Sequence, residues 1–250
     1  LMNTPNPVVN LLYNIREVYH LIEFHVEKTG IKPGRRYNVE ILNKSAIVLM
    51  TACWEAYIED VATQSFLFLI NKVTTPEQLP AGIRKGVADM INKEKHELAM
   101  WKLAAEGWKS TLIAYKGEML GNYLHKFHTP NIDNIDKLFK SLLDIDCISK
   151  KWSWHRMPST KIKERLDKYI TLRGSIAHRV AANKAVLKRD VHDYIWLIWN
   201  LSLKTHNAVS LHVEKIVGEL PWGRIRGDIF KRILGASVRI AKIGTATGFQ

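Results

Sequence analysis

Apolar side chains recur every three or four positions along most of this chain, which is the period of an α-helix. The first such run covers about residues 6–29, with Pro7 near its start and Gly30 placed to end it. The same pattern predicts further helices over about residues 38–71, 131–143, 159–179 and 188–217. No stretch combines a two-residue period with turn signals, so the pattern predicts an all-α fold.

The second predicted helix, residues 38–71, is apolar nearly all round. A helix of this kind belongs at the centre of a helical core, because it has no polar face to turn toward water. We therefore expect the other helices to pack around it.

The remaining regions predict additions to a helical bundle. Residues 83–128 read as shorter helical pieces, with interruptions expected at Gly107, Gly117 and Gly121. Residues 221–243 form a basic amphipathic pattern after Gly218 and Pro221. We expect a helical domain over residues 1–217 that contains a helical insertion, followed by a basic C-terminal helical tail over residues 218–250.

Composition narrows the class of protein. The chain has 250 residues, enough for a core that needs no disulfide, and its two cysteines lie far apart without ligand-like spacing. No segment has the pattern of a signal peptide, and charged residues interrupt the long apolar runs. These features favour a soluble cytoplasmic protein.

Positive charge is concentrated in one part of the chain. The formal net charge is +13, and residues 150–189, called the basic segment below, hold twelve Lys and Arg against Glu164 and Asp167. Such a concentration on a nearly neutral body favours a polyanionic partner, RNA above all. A cationic surface without a partner is the alternative.

Arg173 and His178, five positions apart within the basic segment, are the sharpest candidate for chemistry. Cleaving RNA without a metal requires proton transfer, which imidazole performs near neutral pH, and a fixed cation against the transition-state charge, which arginine supplies. In a continuous helix the two positions are about 140° apart. Either the arginine side chain reaches round, or the backbone breaks near Gly174. The alternative is that both residues are structural.

Glu55 and Glu59 share one face of the central helix. A buried carboxylate requires a cationic partner, and Arg173 is the candidate partner for Glu55. The alternative places both glutamates on an exposed stripe with Lys44 and Thr51.

Other residues are weaker candidates for binding RNA or a metal ion. Trp152 and Trp154, flanked by basic residues, could stack on bases. His125 and His128 have metal-ligand character but lack a third ligand at suitable spacing, so we expect no metal and no cofactor. The phosphate-binding surface is expected to include Lys161, Lys163, Lys168 and Arg179.

Two stretches together resemble the HEPN superfamily, specifically its RiboL-PSP type. LNKSAIVLMTACWEAYIEDVATQSF is similar to the superfamily's second-helix signature, and LDKYITLRGSIAHRV is similar to its Arg-x4-6-His motif. The stretch KRDVHDYIWLIWNLSLKTHNAV resembles the helix that follows. The similarity covers about residues 8–217. Two positions depart from the family pattern: Gly174 replaces a residue that is usually polar, and Val180 replaces a tyrosine.

The resemblance implies a helical bundle that dimerises with its two motifs facing across a cleft. It also implies metal-independent RNA cleavage that leaves a cyclic phosphate, in a phage-defence or toxin–antitoxin setting with an antitoxin or regulatory partner. Arg173 would then bind phosphate, His178 would be the catalytic histidine and Glu55 the acidic residue behind them.

The expected function is therefore that of a metal-independent endoribonuclease acting as a homodimer with a composite active site. One alternative is a non-catalytic module that binds RNA, tRNA or a protein partner. Another is a membrane-associated effector that acts through residues 221–243.

Overall fold

The computed structural model describes residues 6–30, 39–179 and 185–225. These residues form seven α-helices and three short 3-10 helices, with no strand beyond one isolated bridge, which confirms the all-α prediction. The α-helices are α1 (Pro7–Thr29), α2 (Glu40–Lys72), α3 (Ala81–Lys93), α4 (Gly107–Leu124), α5 (Ile132–Leu143), α6 (Ser159–Arg179) and α7 (Lys188–Val217). The 3-10 helices are Pro76–Gln78, Ala99–Leu103 and Ile148–Lys151. None of the described helices has both the length and the hydropathy needed to span a bilayer.

Helix α2 lies at the centre of the bundle, as its apolar sequence predicts. It packs against α1, α4, α5, α6 and α7, and both Trp54 and Ile58 are completely buried. Hydrogen bonds fix its register on α7, since the Thr51 and Tyr194 hydroxyls lie 3.0 Å apart and the Tyr57 hydroxyl donates to a carbonyl of α7 at 2.7 Å. Satisfied polar groups of this kind allow a long helix to be buried on most of its faces.

Helix α1 runs antiparallel to α2. Near one end, the Asn10 amide donates to Asp60 at 2.9 Å. At the other end, His25 Nδ1 lies 3.0 Å from Asn43 Oδ1, and the Asn43 amide donates to the carbonyl oxygen of Val186. The buried Asn43 thereby joins α1, α2 and the segment that leads into α7.

In the helical insertion, residues 83–128, the structure differs from the prediction at two of the three glycines. Helix α4 begins at Gly107 but continues through Gly117 and Gly121, so the two interruptions expected there are wrong. A glycine inside a helix costs only about 1 kcal/mol, which the burial of side chains such as Trp108 and Met119 in the same helix offsets.

Helix α6 is continuous from Ser159 to Arg179, so the backbone does not break at Gly174. The Tyr169 ring stacks on Tyr194 of α7 at 4.1 Å, and its hydroxyl donates to the carbonyl oxygen of Asp190. These contacts fix the rotation of α6 about its own axis, and that rotation decides which way Arg173 and His178 face.

Residues after α7 fold back onto it. The Trp222 indole donates to the carbonyl of His206, and the His206 ring lies 3.0 Å from the carbonyl of Gly223. Burial lowers the pKa of His206 to about 4, so this ring is neutral at physiological pH. The remainder of the predicted tail, from residue 226, lies outside the described residues, and its separation as a domain stays a prediction.

Candidate functional site

Arg173 lies on the side of α6 that faces α2. The neighbouring turns on this side bury Tyr169 and Ile176, while Arg173 itself is half-buried. Among the described residues, its guanidinium forms no salt bridge and no hydrogen bond, although it acts electrostatically on Glu55 and Tyr194. A half-buried guanidinium without a direct partner is suited to bind an anion, and its geometry matches phosphate.

Glu55 lies on α2 beside this guanidinium. Burial raises the pKa of the Glu55 carboxyl, the neighbouring Glu59 raises it further, and Arg173 and His128 lower it. The electrostatic pairing expected from the sequence is therefore present, but no salt bridge joins Glu55 to Arg173 among the described side chains. Thr51 is buried and so is not part of the exposed stripe that the alternative required.

His178 is exposed near the C-terminal end of α6. Because the helix is continuous, its side chain leaves α6 about 140° round from that of Arg173. Its imidazole accepts or donates no hydrogen bond within the described part of the chain. Arg173 and His178 of one chain therefore point in different directions, with His178 facing outward.

The surface between these two positions is open. A Cβ added at Gly174 would meet nothing within 4 Å. The Ser175 hydroxyl donates to the carbonyl oxygen of Thr171 one turn earlier, so it is engaged within its own helix. The side of α6 at Gly174 therefore has room for a bound molecule.

The predicted phosphate-binding lysines lie on the earlier turns of α6. Lys161 and Lys168, seven positions apart, are exposed on one flank of the helix. Lys163 is half-buried and lies about 160° round from Lys161, so the lysines do not form a single stripe. The Arg179 side chain lies outside the described residues. The basic segment thus presents charge on two flanks of α6, with the outward face that carries His178 between them.

Trp152 cannot stack on bases as predicted. It is completely buried, its indole donates to the Thr205 hydroxyl at 3.0 Å, and its ring packs edge-on against Trp54. Trp154 is half-buried against Trp196, which is 41% exposed. A role for Trp154 in RNA binding stays a prediction, whereas Trp152 is a core residue.

The fold brings His128 to the site, which the sequence alone did not indicate. His128 is exposed in the connection between α4 and α5, close enough to Glu55 to lower the pKa of its carboxyl. Its ring packs edge-on against His125 at 5.5 Å. Within the described ranges, no group of three potential ligands is arranged to hold a metal ion.

An apolar groove adjoins the motif. It has a volume of about 470 Å³ and is lined by side chains of α1, α2 and α6 that include Leu21, Val48, Leu49 and Ile176. Ala177, which directly precedes His178, also lines it. Leu49 is 38% exposed, so the groove opens to solvent beside the candidate site.

The protein is an all-α bundle with a half-buried arginine and an exposed histidine on the helix beside its central one, which is the arrangement that the resemblance to the HEPN superfamily implies. The model of the RiboL-PSP-HEPN family matches residues 10–210, about four fifths of the sequence, and the chain belongs to that family. No curated protein and no solved structure matches it. Membership in this family indicates an RNA-related function.

Proposed function

We propose that this chain is an endoribonuclease that cleaves RNA without a metal ion. The observation that carries the proposal is the half-buried Arg173 guanidinium, which has no direct partner among the described residues and lies five positions before an exposed histidine on the same helix. A guanidinium in this setting favours a dianionic or trigonal-bipyramidal phosphate over a neutral ligand. The net charge of the basic segment adds long-range attraction for RNA.

The reaction that fits these groups is transfer of a phosphodiester to the neighbouring 2′-hydroxyl. One imidazole takes the proton of the 2′-hydroxyl as its oxygen bonds to phosphorus. The bond from phosphorus to the 5′-oxygen breaks, and a second imidazole protonates that oxygen. The products are a 2′,3′-cyclic phosphate and a 5′-hydroxyl. Arg173 would hold the non-bridging oxygens as their charge increases.

A homodimer supplies the second imidazole. The two proton transfers occur on opposite sides of phosphorus, and the two-fold axis of a dimer would bring His178 of a second copy to the far side. The outward direction of His178 supports this arrangement, since His178 does not face the same way as Arg173 of its own chain.

The apolar groove is the surface we propose for the dimer contact. It lies next to Ala177 and His178, and its charged neighbour Lys44 is already paired with Glu40 at 3.2 Å. Two copies that meet there bury apolar surface beside the motif, and this hydrophobic contribution offsets the repulsion between the two basic segments.

A non-catalytic RNA-binding module is the second candidate. The observation in its favour is that Arg173 and His178 diverge on one continuous helix, so a single chain does not present both groups to one phosphate. Such a module would bind RNA through Arg173 and the lysines of α6 and leave it intact.

One experiment separates the two candidates. Purified protein is incubated with total RNA in EDTA, and the RNA is resolved on a denaturing gel and by mobility shift. We expect fragments with cyclic phosphate ends from the wild type. His178→Ala should abolish cleavage while RNA affinity stays within a few-fold, because the imidazole moves protons and does not hold the phosphate. Shifted but intact RNA with the wild type would select the binding module, and unshifted, intact RNA would exclude both.

A further inference from the structure

The connection between α4 and α5, residues 125–131, is fixed against the central helix next to Glu55. The indole of Trp54, the residue before Glu55, donates to the carbonyl oxygen of Pro130 at 3.3 Å. Trp54 is completely buried, so this hydrogen bond joins the connection to the core of the bundle. The connection therefore has a defined place beside the candidate site.

Hydrogen bonds between its own residues and the start of α5 also fix the conformation of this connection. The Asn131 side chain accepts from the backbone nitrogen of Asn134 and caps α5, while the Asn134 amide donates to the carbonyl of Thr129 at 3.0 Å. Phe127 is buried in the core. Between these two anchors, His128 is held at the surface with its ring exposed and packed on one edge against His125.

Helix α5, which directly follows this connection, contacts helix α6. Burial raises the pKa of the Asp167 carboxyl on α6, and the nearby charge of Asp133, in the first turn of α5, raises it further. Asp167, Gly174 and His178 fall within about 40° of one another around α6. The start of α5 therefore lies near the flank of α6 on which Gly174 and His178 follow, about two to three turns further along the helix.

Two carboxylates lie near one another in this region. Glu55 lies near Arg173, Glu59 follows one turn along α2, and both have raised carboxyl pKa values because burial disfavours their ionised forms. When ionised, they repel an RNA phosphate that approaches Arg173. His128 also lies near Glu55, on the connection that Pro130 fixes to Trp54, and an imidazole N–H can donate a hydrogen bond to a phosphate oxygen.

We propose that His128 is a further substrate-binding residue of this site, which donates a hydrogen bond to a phosphate of the RNA near Glu55. The proposal rests on the RNA-directed function proposed above and adds a residue to it. The ligand is the phosphodiester backbone of single-stranded RNA. The site then combines three elements: α2 supplies Glu55, α6 supplies Arg173, and the connection between α4 and α5 supplies His128.

The test compares His128→Gln with His125→Gln in the full chain. Both residues are exposed on the same connection, and glutamine keeps a polar side chain, so neither variant should change the melting temperature. The probe is a 2′-O-methyl RNA oligonucleotide, which lacks the attacking hydroxyl and stays intact, and its Kd is measured by fluorescence anisotropy. We expect His128→Gln to weaken binding about tenfold, or about 1.4 kcal/mol, and His125→Gln to bind like the wild type.

Cleavage kinetics provide the second readout. If His128 holds the RNA backbone equally in the ground and transition states, His128→Gln raises KM and leaves kcat unchanged. Wild-type affinity in His128→Gln overturns the proposal, as does an equal loss in His125→Gln. A fall in kcat at unchanged Kd also overturns it, because His128 would then act in the chemical step. If the wild type neither binds the probe nor cleaves RNA, the proposed function itself fails.

Discussion

The surroundings of Glu55, which include Arg173, decide how readily its carboxyl ionises. Both residues lie half-buried between α2 and α6, yet no salt bridge joins them among the described side chains. Burial is the largest influence on Glu55 and raises its pKa, while Arg173 and His128 lower it only in part. The site therefore holds a carboxylate at a cost to the stability of the fold, which is characteristic of functional residues.

Glu55→Gln should stabilise the protein at neutral pH. A carboxyl with a raised pKa binds its proton more tightly in the folded state, so the free energy of unfolding falls as pH rises through the interval between the ordinary value and the raised one. Glutamine has no such cost. At pH values above the raised pKa, we expect the free energy of unfolding of Glu55→Gln to exceed that of the wild type by less than about 1 kcal/mol, because the side chain is partly open to water.

Thermal denaturation of both proteins across the acidic to neutral range measures this effect. The difference in melting temperature should be present at neutral pH and vanish below the ordinary pKa of a glutamate, where both side chains are uncharged. A variant that is less stable at neutral pH would show that the attraction of Arg173 and His128 exceeds the cost of burial.

At the scale of elements, the continuity of α6 determines the geometry of the motif. A break at Gly174 would have allowed Arg173 and His178 to face one phosphate, but the helix continues past both residues. Tyr169, stacked on Tyr194, fixes the orientation of the helix. Since the two side chains leave the helix about 140° apart, one chain alone presents a half-buried guanidinium and an exposed imidazole in different directions.

Gly174→Ala should stabilise the protein by about 0.5–1 kcal/mol, because glycine inside a helix loses more conformational freedom on folding than alanine. Nothing lies within 4 Å of the added Cβ. Gly82 on α3 is the matched control, since a Cβ there would lie 2.0 Å from the carbonyl oxygen of Ser141 on α5. Gly82→Ala should therefore destabilise the protein by about 1–3 kcal/mol.

Urea denaturation of the two variants and the wild type measures both effects. A loss of stability in Gly174→Ala would mean that the surface at this position is occupied in the folded protein. Equal behaviour of the two variants would contradict the close approach of α3 to α5.

At the scale of the whole molecule, charge and apolar surface lie in different places. The lysines of the basic segment lie on the outer flanks of α6, while the apolar groove lies between α6, α2 and α1. In the proposed dimer, a second copy docks at the groove while the lysines on the outer flanks of α6 stay available to RNA.

Cleavage should belong to the dimer and not to the single chain. A limiting amount of wild type is mixed with excess His178→Ala, and activity is measured per wild-type chain once the subunits have exchanged. We expect that activity to fall steeply, because each mixed dimer has one His178 where two are required. Excess wild type at the same total concentration is the control. Full activity per wild-type chain in the mixed dimers would show that each chain has a complete site.

The sequence by itself determined the helical class of the protein and the central position of α2, and it singled out the Arg173 and His178 pair, whose role stays a prediction. These features follow from local properties: the period of apolar residues, the absence of a polar face and the spacing of two side chains. The predicted breaks at Gly117 and Gly121 were wrong because the cost of a glycine is small beside the packing of a whole helix.

Only the tertiary structure decided the burial of Trp152 and the place of His128. Trp152 lies among basic residues in sequence, but its indole is enclosed by Trp54 of α2 and Thr205 of α7, which are distant in the chain. The hydrogen bond between Trp54 and Pro130 holds the connection that carries His128 near Glu55. Both placements depend on contacts between residues that are far apart in sequence, and neither a period nor a spacing along the chain encodes them.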